Sequence, residues 1–389
     1  MKPIYFDNNA TTPIAPEVLN EMLPYLRELY GNPSSMHTFG GQLHRKIEEA
    51  RVKVADLINA EIEEIIFTSC GTESDNTAIM SAIESYPRKR HVITTRVEHP
   101  AVLNFCKHLV RKGYRVTFLP VDKFGRLEME VFLKAIDDDT AVVSIMYANN
   151  ETGVVFPIKD IGEILQERKI LFHTDAVQAV GKVLIDVKEL PVDMLSLSGH
   201  KLHAPKGVGA LYVRKGTRFY PYIIGGHQER GRRAGTENVA SIIALGKACE
   251  LAKGYLNEEA GYLSRLRDKL ERALLELCPD AQVNGDRENR LPNTTNMSFQ
   301  YVEGEAILLR LNEYGICASS GSACTSGSLE PSHVLRAMGI PFTAIHGSIR
   351  FSLSHYNTED EVDKVIEVMP SIIRELRTLS PYGKEKMQG

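Results

Sequence analysis

Between residues 65 and 213 the chain alternates short apolar runs with longer stretches of helical periodicity, and this alternation limits the folds open to it. The runs Ile65 to Phe67, His91 to Thr95, Val116 to Leu119, Val142 to Tyr147, Ile170 to Thr174, Met194 to Ser198 and Ala210 to Val213 predict seven strands. Helical patterns near Ser74 to Ser85, Ala101 to Lys112, Leu127 to Ala135 and Ile158 to Glu167 separate most of them. Continuous apolar runs joined by helices predict an α/β fold, a mostly parallel sheet covered on both faces. The link from His200 to Gly209 is too short for a parallel crossover, so one of the last two strands is expected to run antiparallel at an edge.

Outside this block, helical patterns run near Glu17 to Tyr30 and from His44 onward, where Ile47, Ala50, Val54, Leu57 and Ile58 recur. The texture changes after the Arg/Gly-rich segment that ends at Thr236, itself too polar for a core. A helix from about Val239 and a second carrying Leu263, Leu266, Leu270, Leu274 and Leu277 follow. A strand at Thr295 to Phe299, a helix from Gly304 to Tyr314, a strand at Ser348 to Leu353 and a helix from Glu359 to Leu379, kinked at Pro370, complete the chain. Two domains are expected: a large one over 15–255, and a smaller α+β one made of 1–14 plus 256–389.

Composition narrows the function. Hydrophobic residues at 43% and charged residues at 25% describe an ordinary soluble protein, and a net charge of -4 gives no footprint for nucleic acid or an anionic membrane. No run of ~18 apolar residues exists, and the N-terminus reaches Asp7 too soon for a signal peptide, so a cytoplasmic protein is expected. The six cysteines form no C-x-x-C pair and no metal-ligand spacing; each is first a packing residue with a free thiol.

The candidate site starts at Ser198-Gly-His-Lys201, where a strand is broken just after its apolar run. Ligands of open α/β sheets gather at the carboxyl ends of strands, and a desolvated lysine there can form a Schiff base. On the tetrapeptide alone a surface lysine is the better reading, and the partners reverse this. Gly71 and Thr72 stand between a strand and a helix, where backbone N–H groups and the Thr72 hydroxyl suit a phosphate; Thr72 and Asp75 have capping-box spacing, and capped helices are common. Asp175 ends another strand and is either a helix N-cap or the partner of a pyridinium nitrogen. A phosphate cradle, then strand-end Asp175, then strand-end Lys201 26 positions on (201 minus 175) form a combination much rarer by chance than any part, and its members suit pyridoxal phosphate (PLP).

Four further residues join them. His99 follows a strand and either stacks on a cofactor ring, moves protons, or is structural. Asn150 either bonds a substrate carboxylate or ring oxygen, or serves a turn. Arg350, a charge within a strand-like segment, is suited to grip an α-carboxylate with two parallel bonds. Cys324 lies among five serines and two glycines in ten residues, a composition that packs no core and favours an accessible, reactive thiol.

The segments Asp7-Asn-Asn-Ala-Thr-Thr-Pro13, Val97-Glu-His-Pro100, His173-Thr-Asp-Ala-Val-Gln178, Ser198-Gly-His-Lys201, Gly231-Arg-Arg-Ala-Gly-Thr236 and Ser320-Gly-Ser-Ala-Cys-Thr-Ser326 resemble those of cysteine desulfurases. The likeness covers about residues 4 to 380. It implies a homodimeric PLP enzyme of the aspartate-aminotransferase fold, fold type I. It further implies Lys201 as the Schiff-base lysine, Asp175 on the pyridine nitrogen, Gln178 on the ring hydroxyl and His99 stacked on the ring. Gly71, Thr72, Ser198 and His200 would hold the phosphate, with Thr236 arriving from the second subunit. Asn150, counted also among the cofactor contacts, and Arg350 would hold the carboxylate of L-cysteine.

By the same resemblance Cys324 would receive the sulfur, hand it to an iron–sulfur scaffold protein and act as a transient iron–sulfur ligand. The wording of 226–238 and 333–339 is most similar to the branch dedicated to nitrogenase maturation, with a housekeeping desulfurase as the alternative. A selenocysteine lyase or an aminotransferase would share Lys201 and Asp175. A PLP-free thiol carrier and a zinc enzyme using His99, His173, His200 and His203 are the readings from other classes.

Overall fold

A computed structural model describes residues 3–320 and 331–380. In chain order its elements are β1 (Ile4–Tyr5), α1 (Pro16–Arg27), α2 (Thr38–Leu57), β2 (Ile65–Thr68), α3 (Gly71–Ser85), β3 (His91–Thr95), α4 (Pro100–Arg111), β4 (Arg115–Leu119), α5 (Met129–Ala135), β5 (Thr140–Ser144), α6 (Ile158–Glu167), β6 (Leu171–Asp175), β7 (Met194–Ser198) and β8 (Gly209–Val213). There follow α7 (Val239–Leu277), β9 (Ala281–Val283), β10 (Thr294–Phe299), α8 (Gly304–Glu313), β11 (Ile316–Cys317), α9 (His333–Ala337), α10 (Phe342–Ile345), β12 (Ser348–Ser352) and α11 (Glu359–Leu379).

The seven-stranded sheet has the order β2-β8-β7-β6-β5-β3-β4. Six of its strands bury both faces, the edge strand β4 only in part, and neighbouring residues divide between two cores. Ile65, Ile93, Val143, Phe172, Leu195 and Tyr212 face one, and Ile66, Val92, Val142, Leu171, Met194 and Leu211 face the other. The period of two in a pleated strand makes this division, which is why the runs carry no polar alternation. β3 to β7 pair in parallel, whereas β8 is antiparallel to both β2 and β7.

The reversed strand is therefore where the short link required one, but it lies inside the sheet rather than at an edge. Each of its neighbours supplies a full ladder, Ile65 to Thr68 on one side and Met194 to Ser198 on the other. Gly209 opens it at a point where a Cβ would stand 2.8 Å from the Leu197 carbonyl oxygen and 2.9 Å from the Cys70 backbone. Only glycine lets β8 pass this close to the start of α3.

The two helices expected after Val239 are one helix, α7, of 39 residues. Ala244, Leu245 and Ala248 belong to the core against the sheet, and Leu263, Leu266, Leu270 and Leu274 to a second core under the antiparallel sheet β12-β10-β9. Packing on two cores sustains helix through Gly254 and Gly261, whose intrinsic cost is only about 1 kcal/mol each. Leu277, expected on the apolar face, is 48% exposed. Pro370 lies within α11, as expected.

The Arg/Gly-rich segment is less polar in setting than its composition suggests. Glu229 is buried, accepts from Arg51 at 2.6 and 2.8 Å and from the Phe67 N–H at 2.8 Å, and so pins the segment to β2. Among the described residues, no helix is long and apolar enough to cross a membrane.

Candidate active site

The carboxyl ends of β6 and β7, the start of α3 and the loop after β1 enclose a cavity of about 400 Å³. Gly71, Thr72, Ser198, His200 and Lys201 line it on one side, and His99, Asn150, Asp175, Gln178 and Arg350 also contribute to its wall. Ten residues drawn from six separate stretches of sequence thus meet at one place. Thr236 is on a different, smaller cavity bordered by Phe67, Gly207 and Glu229. Cys324 lies outside the described residues, as does any iron–sulfur ligation by it.

Lys201 ends the turn after β7, and its Nζ donates to the backbone oxygens of Asn9 at 2.5 Å and Ala10 at 2.6 Å. The loop that supplies these acceptors is fastened to the same turn: Thr12 N donates to His200 O at 3.0 Å, and His200 Nδ1 meets Thr11 Oγ1 at 3.1 Å. Asn9 also ties the opposite wall together. Its Nδ2 donates to Asn150 O at 3.2 Å and to Thr294 Oγ1 at 2.8 Å, while its carbonyl accepts from Gln178 Nε2 at 2.9 Å. This loop is among the segments that resemble those of the desulfurases, but the sequence assigns it no role. Its crowding with amides was the available signal.

Asp175, the last residue of β6, accepts from Val177 N at 2.9 Å, and burial raises its pKa to about 6 against the pull of Lys201. Asp75, from α3, is a buried carboxyl on the same cavity, and burial together with Asp175 holds it well above the usual carboxylate range. A donor to Asp175 from a ligand would further favour its charged form. α3 begins at Gly71, three residues earlier than expected, so Thr72 stands in its first turn and not at the cap. The capping-box reading of Thr72 and Asp75 is thereby overturned: Cys70 is the N-cap and makes no side-chain cap bond.

His99 is the N-cap of α4, with Nδ1 accepting from Ala101 N at 3.2 Å. Burial and then the charge of Lys201 push it down to about 4, so near neutral pH its ring is uncharged. Glu98, beside it, is raised to about 8 by burial and accepts from Met146 N and Thr95 Oγ1. Arg350, on β12, has found a protein partner. Its Nη2 donates to Asp7 Oδ1 at 2.6 Å and its Nη1 to Asn150 O at 3.0 Å.

The residues fit pyridoxal phosphate. Ser198 Oγ is buried at the mouth of the α3 N-terminus with no hydrogen-bond partner, a position for a phosphate oxygen. A Cβ at Gly71 would stand 2.8 Å from Val177 Cγ2, so glycine keeps that approach open. The first turn of a helix carries N–H groups with no partner inside the helix.

The cysteines divide. Cys106 and Cys249 are buried, with thiols pushed up to about 12 by burial, and Cys278 to about 11. Cys70 is not simply a packing residue, for it lines the cavity. The four histidines considered for zinc do not assemble: His173 is bonded between Ser144 and Ser196, and the described residues contain no cluster of three or more ligands able to hold a metal.

Residues 4–365 match the family model described as Aminotransferase class-V. A cysteine desulfurase of Trichormus azollae is 61% identical over 386 residues, covering 99% of this chain and 96% of that one. The chain belongs to the cysteine desulfurases of the class-V aminotransferase family. The cysteine desulfurase NifS of Azotobacter vinelandii is 59% identical over 383 residues, covering 98% and 95% of the two chains. A solved NifS-like protein superposes with a TM-score of 0.90 at 42% identity, over 96% of this chain and all of that one. The desulfurase is accordingly a NifS-type, PLP-dependent enzyme with an α/β fold of type I, and L-cysteine is its substrate.

Proposed function

We propose that this desulfurase leaves the sulfur of L-cysteine as a persulfide on Cys324 and passes it to an iron–sulfur scaffold protein for nitrogenase maturation. The carrying observation is the convergence of Lys201, Asp175, His99 and Arg350 on one cavity. The 59% identity to the Azotobacter NifS supports the nitrogenase assignment over a housekeeping role. Bound pyridoxal phosphate supplies an electron sink when the substrate's Cα–H bond breaks.

The chain's own residues do the rest. Ser198, Thr72, Gly71 and His200 would hold the phosphate, Asp175 the ring nitrogen, Gln178 the ring hydroxyl, and His99 the ring face. Arg350 and Asn150 orient the substrate carboxylate. Lys201 anchors the cofactor and moves the Cα proton. His99 is the acceptor for the proton of a thiol that would otherwise be only a few per cent ionised, a weak base while burial and the charge of Lys201 hold it near 4. The Cys324 thiolate attacks the substrate sulfur. The Cβ–S bond breaks, an S–S bond forms, and Cβ takes up a proton, so L-cysteine plus a thiol becomes L-alanine plus a persulfide. No external oxidant is needed.

The working unit is a cytoplasmic homodimer in which Thr236 reaches the partner's phosphate site. Residues 15–255 form its large domain, and 1–14 with 256–389 the small one carrying the Cys324 loop. The separate cores on the two halves of α7 support a division within that helix, although Leu291, Val334, Leu335, Met338 and Ile345 join the core of the large domain.

The test is a visible spectrum of the purified protein before and after L-cysteine, with amino-acid analysis of the product. A PLP band that L-cysteine changes, with alanine released and both lost in Lys201→Ala, is the expected result. A colourless protein, or an active Lys201→Ala variant, overturns the reading.

A further inference from the structure

Lys182 lies four residues beyond Gln178 in the turns that follow β6, and no motif singles it out. Its Nζ donates to the Gln178 backbone oxygen at 3.0 Å and to Gln178 Oε1 at 3.3 Å. An ammonium has only donors, so the amide end that faces it must be the oxygen. The NH2 end is thereby turned the other way, where Nε2 donates to Asn9 O at 2.9 Å. The same carbonyl accepts from Lys201 Nζ at 2.5 Å. Lys182, Gln178, Asn9 and Lys201 form one chain of hydrogen bonds ending at the cofactor lysine.

The consequence falls on Gln178, which lines the cavity. Its Nε2 carries two N–H groups, of which Asn9 takes one. An amide flipped the other way would set its oxygen against the Asn9 carbonyl and, on the cavity side, against any bound oxygen. Burial, and after it the charge of Lys201, push Lys182 down to about 7, with Glu259 pulling the other way. Glu17, His203, Tyr255, His355 and Tyr356 are the other titratable groups bordering the smaller cavity, of about 150 Å³, on which Lys182 and Lys201 both lie.

We propose that Lys182 is a positioning residue of the desulfurase: it fixes the Gln178 amide so that an N–H meets the ring oxygen of pyridoxal phosphate, and it adds positive charge beside Lys201. This rests on the placement of Gln178 at the ring oxygen. A donor to that oxygen and a nearby cation both disfavour protonation of the nitrogen that links Lys201 to the cofactor. Their removal moves that protonation to higher pH.

The experiment follows the visible band of the holoenzyme against pH in wild type, Lys182→Met, Lys182→Arg and Gln178→Ala. Equilibrium dialysis of each apoprotein against PLP, and apoprotein melting by circular dichroism, complete it. In Lys182→Met the midpoint is expected to rise by about one unit and PLP binding to weaken roughly tenfold, the scale of one hydrogen bond to a charged group. Lys182→Arg restores both. A merely structural lysine would lower the apoprotein melting temperature and leave the midpoint where it was.

An unmoved midpoint in Lys182→Met, with Gln178→Ala shifted, overturns the inference alone. An unmoved midpoint in Gln178→Ala overturns the placement of Gln178 and the inference with it. Should Lys182→Met fail to fold, Lys182→Leu removes the same donor and charge, and an unshifted midpoint in that variant overturns the assignment equally.

Discussion

Arg350 Nη2 lies 2.6 Å from Asp7 Oδ1, a salt bridge that ties β12 to the loop after β1 across 343 positions of sequence. The arginine is almost wholly buried, and its Nη1 is held by the Asn150 carbonyl at 3.0 Å. Its planar fork is fixed before substrate arrives, with Asp7 balancing its charge. Arg350→Lys keeps the charge and loses the fork, so the KM for L-cysteine is expected to rise by roughly 2 kcal/mol, or about thirtyfold, with kcat changed less. Asp7→Ala leaves a buried cation uncompensated and is expected to cost about 3 kcal/mol in urea unfolding. Steady-state kinetics and equilibrium denaturation check the two separately.

Ser198 separates cofactor binding from stability. Its Oγ is buried without a partner, so removing the hydroxyl from the apoprotein should cost nothing and can even stabilise it slightly. Ser198→Ala is expected to melt at or above the wild-type temperature as apoprotein, yet to hold PLP roughly tenfold more weakly. Equal PLP affinity in the two proteins would remove Ser198 from the phosphate site.

Two cysteines are candidates for receiving the sulfur. Cys70 lines the cavity wall, whereas Cys324 is assigned by the family resemblance and its loop composition. Cys324→Ala is expected to keep PLP and release neither alanine nor persulfide on addition of L-cysteine. Cys70→Ala should leave persulfide formation largely intact, as should Cys106→Ala, Cys249→Ala, Cys278→Ala and Cys317→Ala. Alanine production at the wild-type rate by Cys324→Ala, followed by amino-acid analysis, would exclude it as the nucleophile.

Glu98 makes stability depend on pH. Burial raises its folded-state pKa from 4.5 to about 8, so the folded protein keeps a proton that the unfolded chain releases. Its contribution is therefore fully present below about pH 4.5 and is lost as pH rises to about 8. Glu98→Gln carries no such proton. The stability difference, wild type minus variant, is expected to fall between pH 5 and pH 8 in urea titrations and to level off above that. A difference that stays constant across the interval would show the carboxyl to be ionised in the fold.

Much of the site was legible because its signals are local. An apolar run followed by a break marks a strand end wherever the strand sits, and Asp175 and Lys201 stand at two such ends. The seven runs gave the strands to within a few residues for the same reason, since pleat and helix periods repeat over a handful of positions. The family resemblance added roles to those positions. By contrast, the place of β8 between β2 and β7 is a matter of which ladders form, and no local pattern records it. The single helix α7 survives through Gly254 and Gly261 because two separate cores hold its halves. The Asn9 carbonyl, shared by Lys201 and Gln178, is a backbone group that every residue has, so only folding gave it these partners. Sequence determined which side chains are available at the strand ends; the tertiary structure decided what stands opposite them, because those contacts join residues as much as 343 positions apart.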